Sequence, residues 1–313
     1  MSLTVVGSIA FDSVKTPFGE RERMLGGAAV HFSLVASFFD EVRVVGPVGD
    51  DFGEAELDVL RGRGVVTDDI EHVPGGETFF WAGEYGYDLN SRETHDTRLG
   101  VFETFSPRLS PAAAGADVVF LANIVPDVQR AVREQCTAAR FVAMDSMDLW
   151  IEIARDSLVR TIEGVDGLLL NDAELRQLTG RPSILGAARE VLGWGPRVVV
   201  AKHGEYGASL HTRDGGFFAL PAFPLERVVD PTGAGDSFAG GFTGYVAAHP
   251  EADLDDAAFL RRAMAYGTAL ASFNVEEFGT ERVARLTGDE VGARVAELAR
   301  LTAFADAPVA LRA

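Results

Sequence analysis

The run Asp230-Pro231-Thr232-Gly233-Ala234-Gly235-Asp236 sets two acids and two glycines where they could do chemistry together. A β-type stretch at Val228 and Val229 enters it, and an apolar-periodic stretch with Phe238, Phe242 and Tyr245 on one side leaves it. A strand, a glycine loop and a helix in that order aim free backbone N–H groups and the positive helix end at one spot, which makes an anion site. The glycines let the backbone come close to the anion. Asp236, in the first helical turn, would repel a static phosphate, so a loop built only to bind would not select it. It fits a site where a carboxylate takes a proton from an attacking hydroxyl while the N–H groups hold charge on the transferred group, as phosphoryl transfer requires. The plainer reading is that Asp236 caps the helix. Gly240, Gly241 and Gly244 each cost up to ~1 kcal/mol against alanine inside a helix. They imply close packing beneath the loop and favour the functional reading.

Other nucleotide motifs fail on these residues. A P-loop needs four residues between its glycines and then Gly-Lys-Ser/Thr, and no such run exists. A dinucleotide loop counted from Gly233 and Gly235 puts Phe238 where its third glycine belongs.

The elements that must position this loop read as an α/β chain. Leu3–Ile9 is a short buried strand that breaks at Asp12, and Gly26–Phe39 is a glycine turn leading into a helix. Val42–Val48 is another buried strand, and Glu54–Gly62 is helical. From residue 69 to 105 the pattern changes. Thr78–Tyr87 interleaves Phe, Trp and Tyr with glycine and polar residues after the turn Pro74-Gly75-Gly76, which predicts an antiparallel hairpin layer. Strands return at Asp117–Asn123, Phe141–Asp145, Gly167–Asn171 and Arg197–Ala201, with helical segments between them. Such alternation predicts a mostly parallel sheet covered by helices on both faces, in one domain carrying a small β excursion.

Composition narrows the function. The 313 residues hold 28 basic and 47 acidic side chains, a net charge of −19 that argues against nucleic-acid and membrane partners but leaves room for a small anionic ligand held by a few oriented groups. Cys136 is the single cysteine, which excludes an intrachain disulfide and a cysteine-rich zinc site. Met1–Gly7 lacks the basic and apolar regions of a signal peptide, and stretches such as Val118–Ala122 fall far short of the ~20 residues that span a bilayer. The expectation is a soluble, cytoplasmic protein.

Asp230–Asp236, continued by Gly240-Gly241-Phe242, resembles the C-terminal signature of the ribokinase (PfkB) family of carbohydrate and nucleoside kinases. Gly26-Gly27-Ala28-Ala29 followed by Val45–Gly53 resembles its N-terminal signature, and Asn171-Asp172-Ala173-Glu174 is similar to its Asn-x-x-Glu element. The motifs stand in family order from residue 7 to about 280. The resemblance implies an α/β, ribokinase-like three-layer domain over 1–306, with a small β lid at about 14–25 and 69–105 and a tail at 307–313. It implies Asp236 as catalytic base and Gly233, Ala234 and Gly235 as the anion hole. Asp12, Gly26 and Gly27 would bind the acceptor. Asn171 and Glu174 would order Mg²⁺ and phosphate, Glu174 through water, although the pair also reads as a helix cap. Lys202, Gly204 and Gly207 would lie on the ATP side, and Asp230, Thr232 and Gly279 near positions that hold a monovalent cation such as K⁺ in some relatives.

One departure stands out: His31 occupies the place where ribokinase-like sequences carry Asn. It is either a ligand of a substrate hydroxyl or a histidine packed near the core. Phe79, Trp81 and Tyr85 alternate on one face of the lid and either stack on a ring or form a lid-to-lid dimer contact. The function expected first is transfer of the ATP γ-phosphate to an alcohol of a small sugar or polyol. A nucleoside kinase of the same family is the near alternative. A catalytically silent binding or regulatory relative comes next, and a nicotinamide dehydrogenase is the most distant.

Overall fold

The computed structural model describes residues 2–304, and the tail expected at 307–313 lies outside them. Thirteen strands run among the described residues: β1 Ser2–Val6, β2 Ala10–Thr16, β3 Gly19–Gly26, β4 Glu41–Val48, β5 Val66–His72, β6 Phe79–Tyr85, β7 Arg92–Arg98, β8 Val118–Leu121, β9 Phe141–Asp145, β10 Gly167–Asn171, β11 Val198–Lys202, β12 Ala208–Thr212 and β13 Phe217–Leu220. Nine form the main sheet in the order β13-β12-β11-β10-β9-β8-β1-β4-β5. From β5 to β11 neighbouring strands are parallel, and β12 and β13 continue antiparallel.

Alternation along these strands feeds two cores. Leu3, Val5, Val118 and Phe120 pack with helices Ala28–Ala36, Ala234–Ala247 and Ala257–Asn274; Val6, Val119 and Leu121 pack with Pro126–Gln135, Arg155–Ile162, Asp172–Thr179 and Ile184–Leu192. The result is a three-layer α/β architecture with a mostly parallel central sheet, as expected. Strands β9, β10 and β11 are buried and apolar until their final residues, Asp145, Asn171 and Lys202, so three polar groups end neighbouring strands at the carboxyl edge, Asn171 directly beside Lys202 and Asp145 beside Leu169. The strand order reverses between β1 and β8, and that edge, beside the reversal, is where α/β sheets open a crevice.

A second sheet, in the order β3-β2-β6-β7, grows from the exit of β1. Its boundaries differ from the expected lid. The first strand stops at Val6, because a Cβ on Gly7 would fall 2.6 Å from Ala122 and the chain turns off there. Asp12 therefore sits within β2. The lid segment expected at about 14–25 is the β2–β3 hairpin, which begins earlier, at Ala10. On the other side, β5 covers part of the stretch assigned to the lid from residue 69, yet it pairs in parallel with β4 as the edge of the main sheet. Its acids disguised it; an edge strand tolerates them, and Asp69 is held 2.7 Å from Arg43.

Candidate active site

The loop expected to carry the chemistry is cross-braced. Asp230 is fully buried, and its carboxylate accepts the Thr232 N–H through Oδ1 and the Gly279 N–H through Oδ2, each at 2.9 Å. Gly233 adopts φ 74°, a left-handed conformation, and opens the helix Ala234–Ala247 with Asp236 in its first turn. The helix glycines do pack closely: a Cβ at Gly240 would lie 2.5 Å from the Phe32 carbonyl oxygen, and one at Gly241 2.9 Å from the Gly267 Cα.

Asn274, at the end of the helix Ala257–Asn274, ties the loop from below. Its Nδ2 donates to the Thr232 carbonyl at 2.7 Å, and a carbonyl only accepts. Oδ1 therefore faces the Ser237 hydroxyl, which donates at 3.0 Å, and His31 Nδ1, also at 3.0 Å. His31 must then carry its proton on Nδ1. The ring is 2 % exposed, its Nε2 is enclosed without a partner among the described residues, and Gly233 lies so close that a Cβ there would come 2.4 Å from the imidazole. Of the two readings of His31, this geometry favours the packed support beneath Gly233.

Acids and a lysine converge around Asp236. Burial pushes Asp236 up from the ordinary carboxylate value, against the opposing pull of His31 and Lys202. The Lys202 ammonium lies against the loop, 2.9 Å from where a Gly235 Cβ would stand. Asp12, from β2, is 7 % exposed and is pushed up to about 7, chiefly by burial; the Gly27 N–H works against this, and the Asp230 and Asp236 charges add to it. Gly26 makes room for it, since a Cβ there would overlap its Oδ2 at 2.0 Å. Asn171 and Glu174 form a reciprocal cap: the Asn171 N–H donates to Glu174 Oε2 at 2.8 Å, and the Glu174 N–H to Asn171 Oδ1 at 2.7 Å. The helix-cap reading of this pair is thus present in the structure, and Glu174 also lies within reach of the Lys202 charge. Burial raises Glu174, and Lys202 offsets part of that rise.

Four residues of this neighbourhood escaped the sequence reading. Asp145 is 4 % exposed with Oδ1 unpartnered, and burial together with the Asp236 charge drives it well above the usual carboxylate range. Its signal was its place as the polar last residue of an apolar strand, the place Asn171 and Lys202 also hold. Asn274 and Ser237 gave none, because they meet across 37 positions, and Arg92 gave none, because its place opposite Tyr85 depends on the strand register.

Among the described residues no three His, Cys, Asp or Glu side chains are grouped as a metal cage. A divalent ion held partly by water and phosphate needs none, and the unpartnered Asp145 oxygen beside Glu174 is a donor set of the hard kind it takes. Gly204 and Gly207, with φ 58° and 100°, frame the turn after β11 at the rim. The small sheet reaches both sides of the pocket. The Thr232 hydroxyl donates to the Tyr85 hydroxyl at 3.2 Å, and Asn90 Nδ2 donates to Glu205 Oε1 in the rim turn, also at 3.2 Å.

The family model for the pfkB family carbohydrate kinases matches residues 3–285. A cytidine kinase of Thermococcus kodakarensis is 30% identical over 258 residues, 80% of this chain and 90% of the relative. A nucleoside kinase of Methanothermobacter thermautotrophicus is 28% identical over 310 residues, 92% and 94% of the two chains. The crystal structure of the Methanocaldococcus jannaschii nucleoside kinase, an archaeal member of the ribokinase family, superposes with a TM-score of 0.75 at 20% identity, covering 95% of this chain and 98% of that one. No helix among the described residues is long and apolar enough to cross a membrane.

Proposed function

The chain belongs to the pfkB family of carbohydrate kinases, ATP-dependent phosphotransferases with an alcohol acceptor, and from that premise we propose that its acceptor is a hydroxyl of a nucleoside. The single observation that carries this choice is the inner face of the small sheet. Asp12 is paired with Trp81 across β2 and β6, and Tyr85 follows four residues on, so a carboxylate suited to ribose hydroxyls and two aromatic rings share one face. A free sugar or polyol, the acceptor expected first, makes less use of a ring-stacking surface beside its hydroxyl ligands. The names of the cytidine and nucleoside kinase relatives support the same choice. Because the rings face the pocket, stacking on a base is favoured over a contact between two lids.

In this reading Asp236 takes the proton of the attacking hydroxyl, the new O–P bond forms at the γ-phosphorus, and the bond to the β-phosphate oxygen breaks. The Gly233, Ala234 and Gly235 amides hold the developing charge, and Lys202 reaches the phosphates. Asp12 and the Gly26-Gly27 backbone orient the acceptor, while His31 and Asn274 keep the loop in shape. Asn171, Glu174 and Asp145 would hold Mg²⁺ largely through water, supplying charge neutralisation on the phosphates. Gly204 and Gly207 would pass beside the nucleotide, and Thr232 would meet both phosphate and lid. A monovalent cation such as K⁺ near Asp230 and Gly279 would balance a carboxylate that is otherwise matched only by amides.

ADP release with ATP and Mg²⁺ across nucleosides, free sugars and polyols tests this, with Asp236→Asn as control. The expected result is turnover of a nucleoside, lowered about 10²- to 10⁴-fold in the variant. Turnover of a sugar with every nucleoside silent would overturn the acceptor assignment, and full activity of Asp236→Asn would overturn the base.

A further inference from the structure

We propose that Arg92, carried by β7 of the small sheet, is a further catalytic residue that contacts the transferring phosphoryl group. Register gives its direction. Arg92 stands directly opposite Tyr85 in the antiparallel β6–β7 pair, so their side chains leave the same face. Tyr85 points into the site, where it meets Thr232 of the anion-hole loop at 3.2 Å, and Arg92 therefore points there too. The Trp81 ring and Thr94 confirm this face: the Arg92 guanidinium lies 5.4 Å from the Trp81 ring centre, and Trp81 Nε1 donates to Thr94 Oγ1 at 3.4 Å.

The guanidinium is uncommitted. Other arginines of the small sheet are engaged, Arg23 with Asp51 and Arg98 with Asp96, whereas Arg92 makes no ion pair and no side-chain hydrogen bond among the described residues. In a chain with 47 acidic side chains, Arg92 is exposed and holds no carboxylate among the described residues, so its guanidinium is free to meet an anion on the face it shares with Tyr85. Asp12, Asp145, Glu174, Asp230 and Asp236 lie near enough for their charges to act on one another, and Lys202 acts on Asp145, Glu174 and Asp236. A γ-phosphate adds negative charge there, which spreads over its oxygens as it transfers, and a planar guanidinium matches two of them at once.

The position also selects the phosphate side. Arg92 opens β7, two residues after Asn90 at the tip of the β6–β7 hairpin. The tip of the same hairpin is fastened by Asn90 to Glu205 in the rim turn after Lys202. Arg92 thus hangs between the anion-hole loop and the ATP side, where the phosphoryl group must pass. This inference rests on the phosphotransferase site and not on the identity of the acceptor.

The test compares Arg92→Ala and Arg92→Lys with the parent under saturating substrates. Arg92→Ala should lower kcat roughly 10²- to 10³-fold, the cost of losing one aligned donor to a developing charge, with the acceptor KM changed only a few-fold. Arg92→Lys should recover part of the loss, since it keeps the charge without the fork, and added guanidinium should partly rescue Arg92→Ala. A binding readout runs beside it: with Mg²⁺ present, Arg92→Ala should weaken ADP plus aluminium fluoride far more than ADP alone. An unchanged kcat, or equal loss for ADP with and without aluminium fluoride, would overturn the proposal. So would a defect confined to the KM of an acceptor carrying its own carboxylate, which would make Arg92 an acceptor ligand. Turnover of a sugar in place of a nucleoside would sink the acceptor assignment above and leave the Arg92 comparison fully readable.

Discussion

The loop Asp230–Asp236 and the small sheet meet at the same pocket but are held in opposite ways. Asp230 ties the loop to the Gly279 amide and to its own Thr232 amide, Asn274 donates to the Thr232 carbonyl while accepting from Ser237 and His31 beside the loop, and buried helices close beneath it. Strand β7 is exposed along its whole length, and its hairpin meets the rest of the pocket through Tyr85 at Thr232 and Asn90 at Glu205. The groups that must stay within a fraction of an ångström of the reacting atoms are over-determined by packing. Those that must admit a substrate and then cover it hang from a few bonds that can open at low cost.

Gly233→Ala should show the largest effect, because it strikes the over-determined side. The new Cβ would overlap the His31 ring at 2.4 Å in a backbone with φ 74°, and Asn274 holds that ring in place. Left-handed backbone costs about 1–2 kcal/mol for a residue with a Cβ, and overpacking adds about 1–3 kcal/mol. Thermal unfolding should therefore report a loss of several kcal/mol, and kcat should fall by at least about 10²-fold as the anion-hole amide moves. A variant with an unchanged melting temperature would mean that the loop is as compliant as the sheet above it, and the contrast would fail.

Asp12 tests the seam, since it belongs to the small sheet by pairing and to the braced interior by burial. Its folded value of about 7 lies above its ordinary 3.8, so the folded state binds its proton more tightly than the unfolded chain does. The stability it contributes is full below about pH 4 and is lost as pH rises through 7, a change of at most about 4 kcal/mol. Asp145, Glu174 and Asp236 are raised too and act with the same sign. The unliganded protein should melt lower at pH 8 than at pH 5, and Asp12→Asn should reduce that difference while raising the acceptor KM. Identical pH slopes in both proteins would place Asp12 with the open sheet.

The same contrast explains what the sequence disclosed. The loop was legible because its chemistry, backbone conformation and helix start lie within seven consecutive residues. The parallel sheet was legible because strands such as β10 and β11 are apolar to the last residue but one. The second sheet was only half legible. Its aromatic hairpin stood out, but the start of β2 at Ala10 was missed and β5 was claimed for the wrong layer, since edge and rim strands carry charges that blur the alternation. Asn274 meets Thr232 across 42 positions and Asn90 meets Glu205 across 115, so neither bond has a local signature. Asp145 did have one, at the end of a buried strand between two others that end in polar residues.

The smallest effect should come from the two bonds that hold the hairpin, and it is the most discriminating. Tyr85→Phe removes the hydroxyl that meets Thr232 and keeps the ring; Asn90→Ala removes the amide that meets Glu205. Each bond is worth about 0.5–1.5 kcal/mol at most, and the exposed one toward the lower end. If the sheet is a cover hung on these points, each variant should raise the acceptor KM a few-fold and leave the melting temperature within about 2 °C of the parent. Amide exchange should speed up along β6 and β7 while β9 to β11 stay protected. The double variant should show the two KM effects adding in free energy, because the bonds sit at opposite ends of the tip and share no atom. A fall in melting temperature as large as that of Gly233→Ala would show that the small sheet unfolds with the main one. Its closing over the pocket would then have to be a movement of the whole domain, since no hinge between the two sheets would open independently.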